Sequence, residues 1–256
     1  MTGEGRRVGG DLLRGPLGDD RAAARGDNYD AALRLALTGI MMSPSFLFLA
    51  EPEPGEAGVQ ALGAYALASR LSYFLWASMP DEELLTAAES GALLKDESLL
   101  AQVRRMVKDP RAEALGQRFA GQWLELDRLG TEVRPDAGRY PEFTPELAAS
   151  MRTEVITFFN HLIRENRPLL ELIDCDYSFA DRRLAALYGI DSVKGDAFEK
   201  IMFTSKDRGG LVSMAAISTT TSYPLRTSPV LRGKWLLDVV LGEKVPPPPP
   251  GVPPLK

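Results

Sequence analysis

A single histidine and a single cysteine bound the chemistry open to this chain. His161 stands one helical turn before Glu165 and two turns after Glu154, so an imidazole–carboxylate pair is within reach. A metal held there needs one or two further ligands from elsewhere in the fold. A Ser-His-Asp triad needs a Gly-x-Ser-x-Gly elbow, which the sequence lacks. The simpler reading is a surface histidine on the polar side of its helix. Carboxylates gather in Asp174-Cys175-Asp176-Tyr177-Ser178-Phe179-Ala180-Asp181. A calcium loop starting at Asp174 would require glycine at Phe179 and a bidentate glutamate at Ala185, and neither is present. These aspartates therefore read as turn and cap formers. Cys175 reads as a half-buried small residue. No catalytic set and no metal ligands are assigned, and hydrolysis by a pair of carboxylates would need an inward pair that the sequence does not place.

Two further stretches bear on binding. Arg208-Gly209-Gly210 before an apolar run could offer backbone N–H groups to an anion, but it lacks the Lys-Ser/Thr of a phosphate loop and reads as a tight turn. Ser218 to Ser228 concentrates hydroxyls around Arg226, either as a buried hydrogen-bonded connection or as one wall of a cleft. The expected groove sets Arg70, Tyr73 and Trp76 of one helix with Arg226, Thr227 and Ser228 of this connection.

The elements that must position these groups are helices. Leu33, Leu37 and Ile40 recur at helical spacing, Ser43-Pro44 breaks the pattern, and a short helix follows toward Phe48. Pro52, Pro54 and Gly55 make a loop. From Val59 to Met79 nearly every side is apolar or aromatic, which predicts that Leu62 to Trp76 is the buried spine, with Arg70 its one charge. Asp81 leads a short helix ended by Gly91, and Asp96 opens the next. Arg111 to Leu129 carries Leu115, Phe119, Trp123 and Leu126 on one stripe. Thr144-Pro145 starts a helix to about Asn166, whose buried arc is Met151, Val155, Phe158, Phe159 and Leu162. Asp174 to Phe179 is extended, Asp181 caps a helix ended by Gly189, and a helix runs from Arg208-Gly209-Gly210 through Ile217. Ser228, Pro229 and Gly242 bound the last helix.

The expectation is an all-α fold: an irregular multi-helix bundle with a C-terminal helical extension and a proline-rich tail. Residues 1–27 read as a disordered or artificial N-terminus, 28–205 as the bundle, and 206–256 as a further helical segment truncated in a proline-rich linker, so the chain reads as a fragment. With 30 basic and 35 acidic residues among 256, the net charge is −5, and no global positive field exists to attract nucleic acid or an anionic membrane. No stretch reads as an export signal or membrane span.

Three stretches carry a resemblance: Ala68-Ser69-Arg70-Leu71-Ser72-Tyr73-Phe74-Leu75-Trp76 with Met79-Pro80-Asp81; Phe119-Ala120-Gly121-Gln122-Trp123-Leu124; and Arg208-Gly209-Gly210-Leu211 with Arg226 to Trp235 and the proline run. Together they resemble the tandem families called domain of unknown function 1592 and 1588, and Leu33 to Phe48 is similar to the end of the companion family 1595. The resemblance implies a module of a large, exported, planctomycete-type protein, periplasmic or extracytoplasmic, whose partners are other domains of the same polypeptide. One of these is a cytochrome-c-like domain, in an electron-transfer or oxidoreductase assembly. It implies haem c in the full-length protein, beyond the proline tract, and no cofactor in this chain. The alternative is a non-catalytic binding or scaffold module for a peptide, glycan or partner domain.

Overall fold

The computed structural model describes residues 29–48, 61–205 and 207–246. The expectations for segment 1–27, the Pro52-Pro54-Gly55 loop and the proline tail from Pro247 lie outside the described residues. The chain divides into two compact units, one holding residues up to Arg70 together with Asp81–Asp96, the other holding Leu71–Pro80 and Glu97 onward.

In the first unit, α1 (Tyr29–Met41) buries none of its residues. Ser43 then caps α2 (Pro44–Leu47), its hydroxyl accepting from the Phe46 amide at 3.2 Å with Pro44 in the first turn. The helix, break and short helix expected from Ser43-Pro44 are thus present. The first part of α3 (Ala64–Trp76) belongs here, and its later part, from Leu71, to the second unit. Asp81 caps α4 (Glu82–Glu89) through the Leu84 amide. Gly91, at φ 71°, turns the chain beyond the helix end.

The spine of the second unit is not α3. Its Ala68, Ser72, Leu75 and Trp76 are buried, but Tyr65, Tyr73 and Phe74 are 42%, 43% and 58% exposed. Aromatic residues all round a helix look like burial on every side, yet rings on its outer face can lie along the surface. Instead α5 (Asp96–Lys108) is followed by a broken segment, and the 20-residue α7 (Pro145–Arg164) is the element around which the others gather. Thr144 accepts from the Leu147 amide at 3.2 Å, with Pro145 leading the helix. The expected arc Met151, Val155, Phe158, Phe159 and Leu162 is buried, and Leu147, Ala148, Ser150 and Glu154 are buried with it. Full burial of a side chain such as Phe158 stabilises by about 2–3 kcal/mol.

Helix α6 departs from the single helix expected over Arg111 to Leu129. It runs as Glu113–Leu115, a π turn Gly116–Ala120, then Gly121–Trp123. The Gly116 amide donates to Asn160 Oδ1 of α7 at 3.1 Å, and a Cβ at this position would stand 2.5 Å from that oxygen, so glycine is what lets the two helices approach. Glu125, at φ 56°, ends the run, and the turn Leu126–Arg128 buries Leu126.

A two-stranded antiparallel hairpin packs on α7. Strand β1 (Tyr177–Ala180) pairs with β2 (Glu199–Met202), Tyr177 opposite Met202 and Ala180 opposite Glu199. The extended stretch near Asp174 is legible in sequence. Strand β2 falls where a charged loop is expected, because Glu199-Lys200-Ile201-Met202 buries only Ile201. Asp181 caps α8 (Arg182–Leu187) through the Leu184 amide at 2.9 Å. The helix expected from Arg208 begins later: Gly209 and Gly210 make a positive-φ turn, a short 3-10 turn covers Leu211–Ser213, and α9 (Ala215–Thr220) follows. Ser228 caps α10 (Pro229–Trp235), which widens into a π turn over Leu236–Val240 before Gly242. The fold is predominantly helical, and among the described residues no helix is long and apolar enough to cross a membrane.

Candidate functional site

Within the second unit, a cleft of about 340 Å³ opens beside α7 and α9. The connection Val133 to Phe143 forms one wall, Leu147, Met151 and Leu187 the floor, and Ser218 to Thr227 with Arg232 the other wall. The two loops are tied together, since the Asp136 amide donates to the Pro224 carbonyl at 2.9 Å. The Tyr223 amide donates to the Arg226 carbonyl at 2.9 Å, closing the turn that presents both side chains. The lining combines aromatic rings (Tyr140, Phe143, Tyr223), hydroxyls (Ser218, Thr219, Ser222, Thr227) and four arginines, Arg134, Arg208, Arg226 and Arg232. Glu142 is the carboxylate in that lining.

Three of the four arginines are held against neutral groups. Arg232 donates from Nη2 to Thr227 Oγ1 at 3.2 Å and to the Ser218 carbonyl at 3.5 Å, and from Nε to Thr221 Oγ1 at 3.4 Å. Arg208 lies 4.2 Å over the Tyr188 ring and donates to the Ser213 carbonyl at 3.3 Å. Arg226 stands 4.9 Å from the Tyr223 ring centre. Among the described residues none of the four is in an ion pair.

Beneath Arg208 lies a carboxylate with no exposed surface. Glu154 Oε1 accepts from Ser178 Oγ of β1 at 2.6 Å, and Oε2 accepts from the Tyr188 hydroxyl at 2.7 Å. That hydroxyl in turn accepts from the Ala215 amide of α9 at 2.9 Å. Burial pushes the Glu154 carboxyl up to about 7, against the opposing pull of the Ser178 and Tyr188 hydroxyls and the Arg208 guanidinium. Burial first, and Glu154 next, push the Tyr188 phenol well above its ordinary range. One turn earlier on α7, Ser150 donates to Asp181 at 2.6 Å. Burial would raise the Asp181 carboxyl, but Ser150, the Leu184 amide and Arg183 together hold it below the usual range.

Of the residues expected to form a groove, those in the second unit are not all brought together. Arg226 and Thr227 line the cleft. Ser228 is buried as the α10 cap, accepting from the Leu231 amide at 3.3 Å. Trp76 is 3% exposed, with Nε1 donating to the Met106 carbonyl at 2.9 Å and the Arg111 guanidinium 3.5 Å over its ring, so it is a packing residue. Tyr73 is exposed on α3 and is not in the cleft lining, and Arg70 is exposed on the part of α3 that belongs to the first unit. Glu154 is no partner for His161 at the surface. His161 is itself half-buried, its ring 5.0 Å from that of Phe179 and 5.6 Å from that of Tyr177, and burial, then Lys200, lower its pKa. Cys175 is half-buried, its Sγ accepting from the Gly210 amide at 3.3 Å. Among the described residues no group of three His, Cys, Asp or Glu could hold a metal ion.

A helical unit with an arginine- and hydroxyl-lined cleft defines the structural class, and comparison with known families supplies the rest. Residues 62–190 match the family described as protein of unknown function (DUF1592), and residues 208–256 match protein of unknown function (DUF1588). The first match covers half of the chain, and the chain belongs to that family, with the second in tandem. Neither match includes residues 29–48, so the likeness to the companion family 1595 rests on Leu33 to Phe48 alone. No curated protein and no solved structure matches the chain.

Proposed function

We propose that this chain is a binding module of a larger protein and that the cleft beside α7 and α9 is its binding site. One observation carries the reading: a concave, part-aromatic cavity of about 340 Å³ is lined by four arginines, none of them in an ion pair among the described residues, with Arg208, Arg226 and Arg232 set against hydroxyls, carbonyls and rings. Both tandem segments contribute to it, Val133 to Leu187 from one and Arg208 to Arg232 from the other. Titrating a library of small fragments into isotope-labelled protein tests the reading. Amide shifts should gather at Tyr140, Phe143, Ser218 and Tyr223, and shifts spread over the surface, or gathered elsewhere, would reject it.

The second reading places the module beside a cytochrome-c-like domain in an exported electron-transfer protein, and the tandem of the two families supports it. This chain itself does not fit haem c. Covalent attachment needs two cysteines with a following histidine, whereas Cys175 is the sole cysteine and Asp176-Tyr177-Ser178 follow it. Any haem therefore belongs to another part of the polypeptide. The absorption spectrum of the full-length gene product decides the matter, since a product without a Soret band defeats this reading and leaves the first intact.

A further inference from the structure

We propose that the cleft takes a small organic anion, a carboxylate carried on an apolar, ring-sized body. The carboxylate seats on Arg232 and Arg208, and the body lies against Tyr140, Phe143 and Tyr223. The inference rests on the reading of the cleft as a binding site and adds the chemistry of its ligand.

The argument begins with the charge. Arg208 and Arg232 are half-buried and line one cavity. Like charges at close quarters in a partly desolvated space are costly unless something negative joins them. Glu142 borders the cleft and Asp207 borders an adjoining depression that Arg208 and Arg232 also line, but neither is ion-paired with an arginine of the cleft. Glu154 lies beneath Arg208 and offsets that charge in part, but among the described residues no carboxylate forms an ion pair with Arg208 or Arg232.

The donors are also partly free. Among the described residues Arg232 commits Nε and Nη2, at 3.2–3.5 Å, and leaves Nη1 without a hydrogen bond. Arg208 commits Nη1 to Ser213 and, among the described residues, leaves Nε and Nη2 without one. Arg208 is held over the Tyr188 ring at 4.2 Å and by Ser213, which restricts the guanidinium before a ligand arrives. A planar carboxylate matches such an edge in two parallel charge-assisted hydrogen bonds. The Thr227 hydroxyl, which accepts from Arg232, keeps its own proton to donate to an anion.

The rest of the cavity fixes the size and polarity of the body. Apart from the arginines, the hydroxyls and Glu142, the lining is mainly ring and aliphatic surface, from Tyr140, Phe143, Leu147, Met151, Leu187 and Tyr223. A cavity of about 340 Å³ is at the small end of ligand pockets, enough for one ring and a short acid chain but not for a folded segment of a partner.

The test uses the whole chain, calorimetric titration and three probes: 3-phenylpropionate, its neutral amide, and inorganic phosphate. The carboxylate should bind at least about tenfold more tightly than the amide, as expected for one charge-assisted pair. Phosphate, lacking the ring, should bind more weakly than the carboxylate. Arg232→Gln should remove the preference for carboxylate over amide. Because Arg232 also ties Thr221 and Thr227, Arg226→Gln at the exposed mouth serves as the second variant, with a loss of about threefold and stronger salt sensitivity in the wild type than in the variant. Equal binding of carboxylate and amide would overturn the anion inference while leaving the cleft as a binding site. Phosphate binding as tightly as the carboxylate would overturn the apolar body. If no probe binds, and fragments also leave the cleft amides unmoved, both readings fail together.

Discussion

Replacing Glu154 by glutamine should make the protein more stable at pH 8 and leave it nearly unchanged at pH 5. Glu154 is fully buried, with a folded pKa of about 7 against an ordinary value of 4.5. The folded protein therefore holds this proton more tightly than the unfolded chain does. Between those two values the unfolded state binds fewer protons, so stability falls as pH rises, and the loss is complete once pH passes the folded value. At about 1.4 kcal/mol per unit, the difference corresponds to about 3 kcal/mol. Glutamine is neutral throughout. Its carbonyl can accept from Tyr188, and its amide can donate to Ser178 Oγ, whose lone pairs are free to receive it. Urea unfolding followed by tryptophan fluorescence at pH 5 and pH 8 gives the four stabilities, and subtracting wild type from variant cancels every other titrating group, His161 included. The variant should gain about 2–3 kcal/mol on going from pH 5 to pH 8. A difference that does not change with pH, or a variant weaker than wild type at pH 8, would refute the claim that a desolvated carboxylate sits in this network.

Gly210→Ala should cost more than about 2 kcal/mol in urea unfolding, because at φ 69° an added Cβ runs into the Ile173 carbonyl and meets the Leu172 carbonyl at 2.7 Å. Gly91→Ala, with a similar φ of 71° but open space, should cost only about 1 kcal/mol, so equal losses would show that backbone conformation and not collision controls both sites. Trp76→Phe should lose about 2–3 kcal/mol, because it removes the donor to Met106 and the ring under Arg111. Trp235→Phe removes an indole N–H that is buried with no hydrogen-bond partner among the described residues, and should cost less than about 1 kcal/mol in the same assay. Ending the chain after Ser205 should abolish the cooperative unfolding transition, because it strips Leu211, Met214, Ala216 and Ile217, all at most 3% exposed, from the core.

Helix starts were legible in sequence because a cap is a local device. Ser43, Asp81, Thr144, Asp181 and Ser228 each accept from an amide three residues on, and in three of the five a proline follows at once. The apolar arc of α7 was legible for the same reason, being written within its own turns. What was not legible depends on distant partners. Glu154 looks like a surface charge until Ser178 and Tyr188, each more than twenty residues away, supply its donors. Arg134 and Arg208 gave no sign of sharing a cavity with Arg226 and Arg232, since their spacing follows no helical or strand period. The π turn in α6 sits where Asn160 of α7 bonds both the Gly116 amide and the Glu113 carbonyl, tertiary contacts that local propensity does not encode. The reading of α3 as the spine failed because helical periodicity reports which residues share a face but not whether a neighbour covers it.

The tandem of two families is best understood as one folded unit, because specific hydrogen bonds, two of them part-buried, join the segments. Gly210 of the second segment donates to Cys175 of the first, and its close fit against Ile173 leaves no room for a side chain. Ala215 donates to Tyr188, which completes the donor set of Glu154 on α7. Pro224 accepts from Asp136 across the mouth of the cleft. A linker between independent domains carries few contacts of this kind. The same bonds that merge the two segments also shape the cavity, since Tyr188 is both the partner of Glu154 and the surface on which Arg208 is held. Loss of the second segment therefore removes a wall of the cleft and the Ala215 amide that holds the Tyr188 hydroxyl beside the buried carboxylate, which ties the occurrence of the two sequences in one chain to the integrity of a single site.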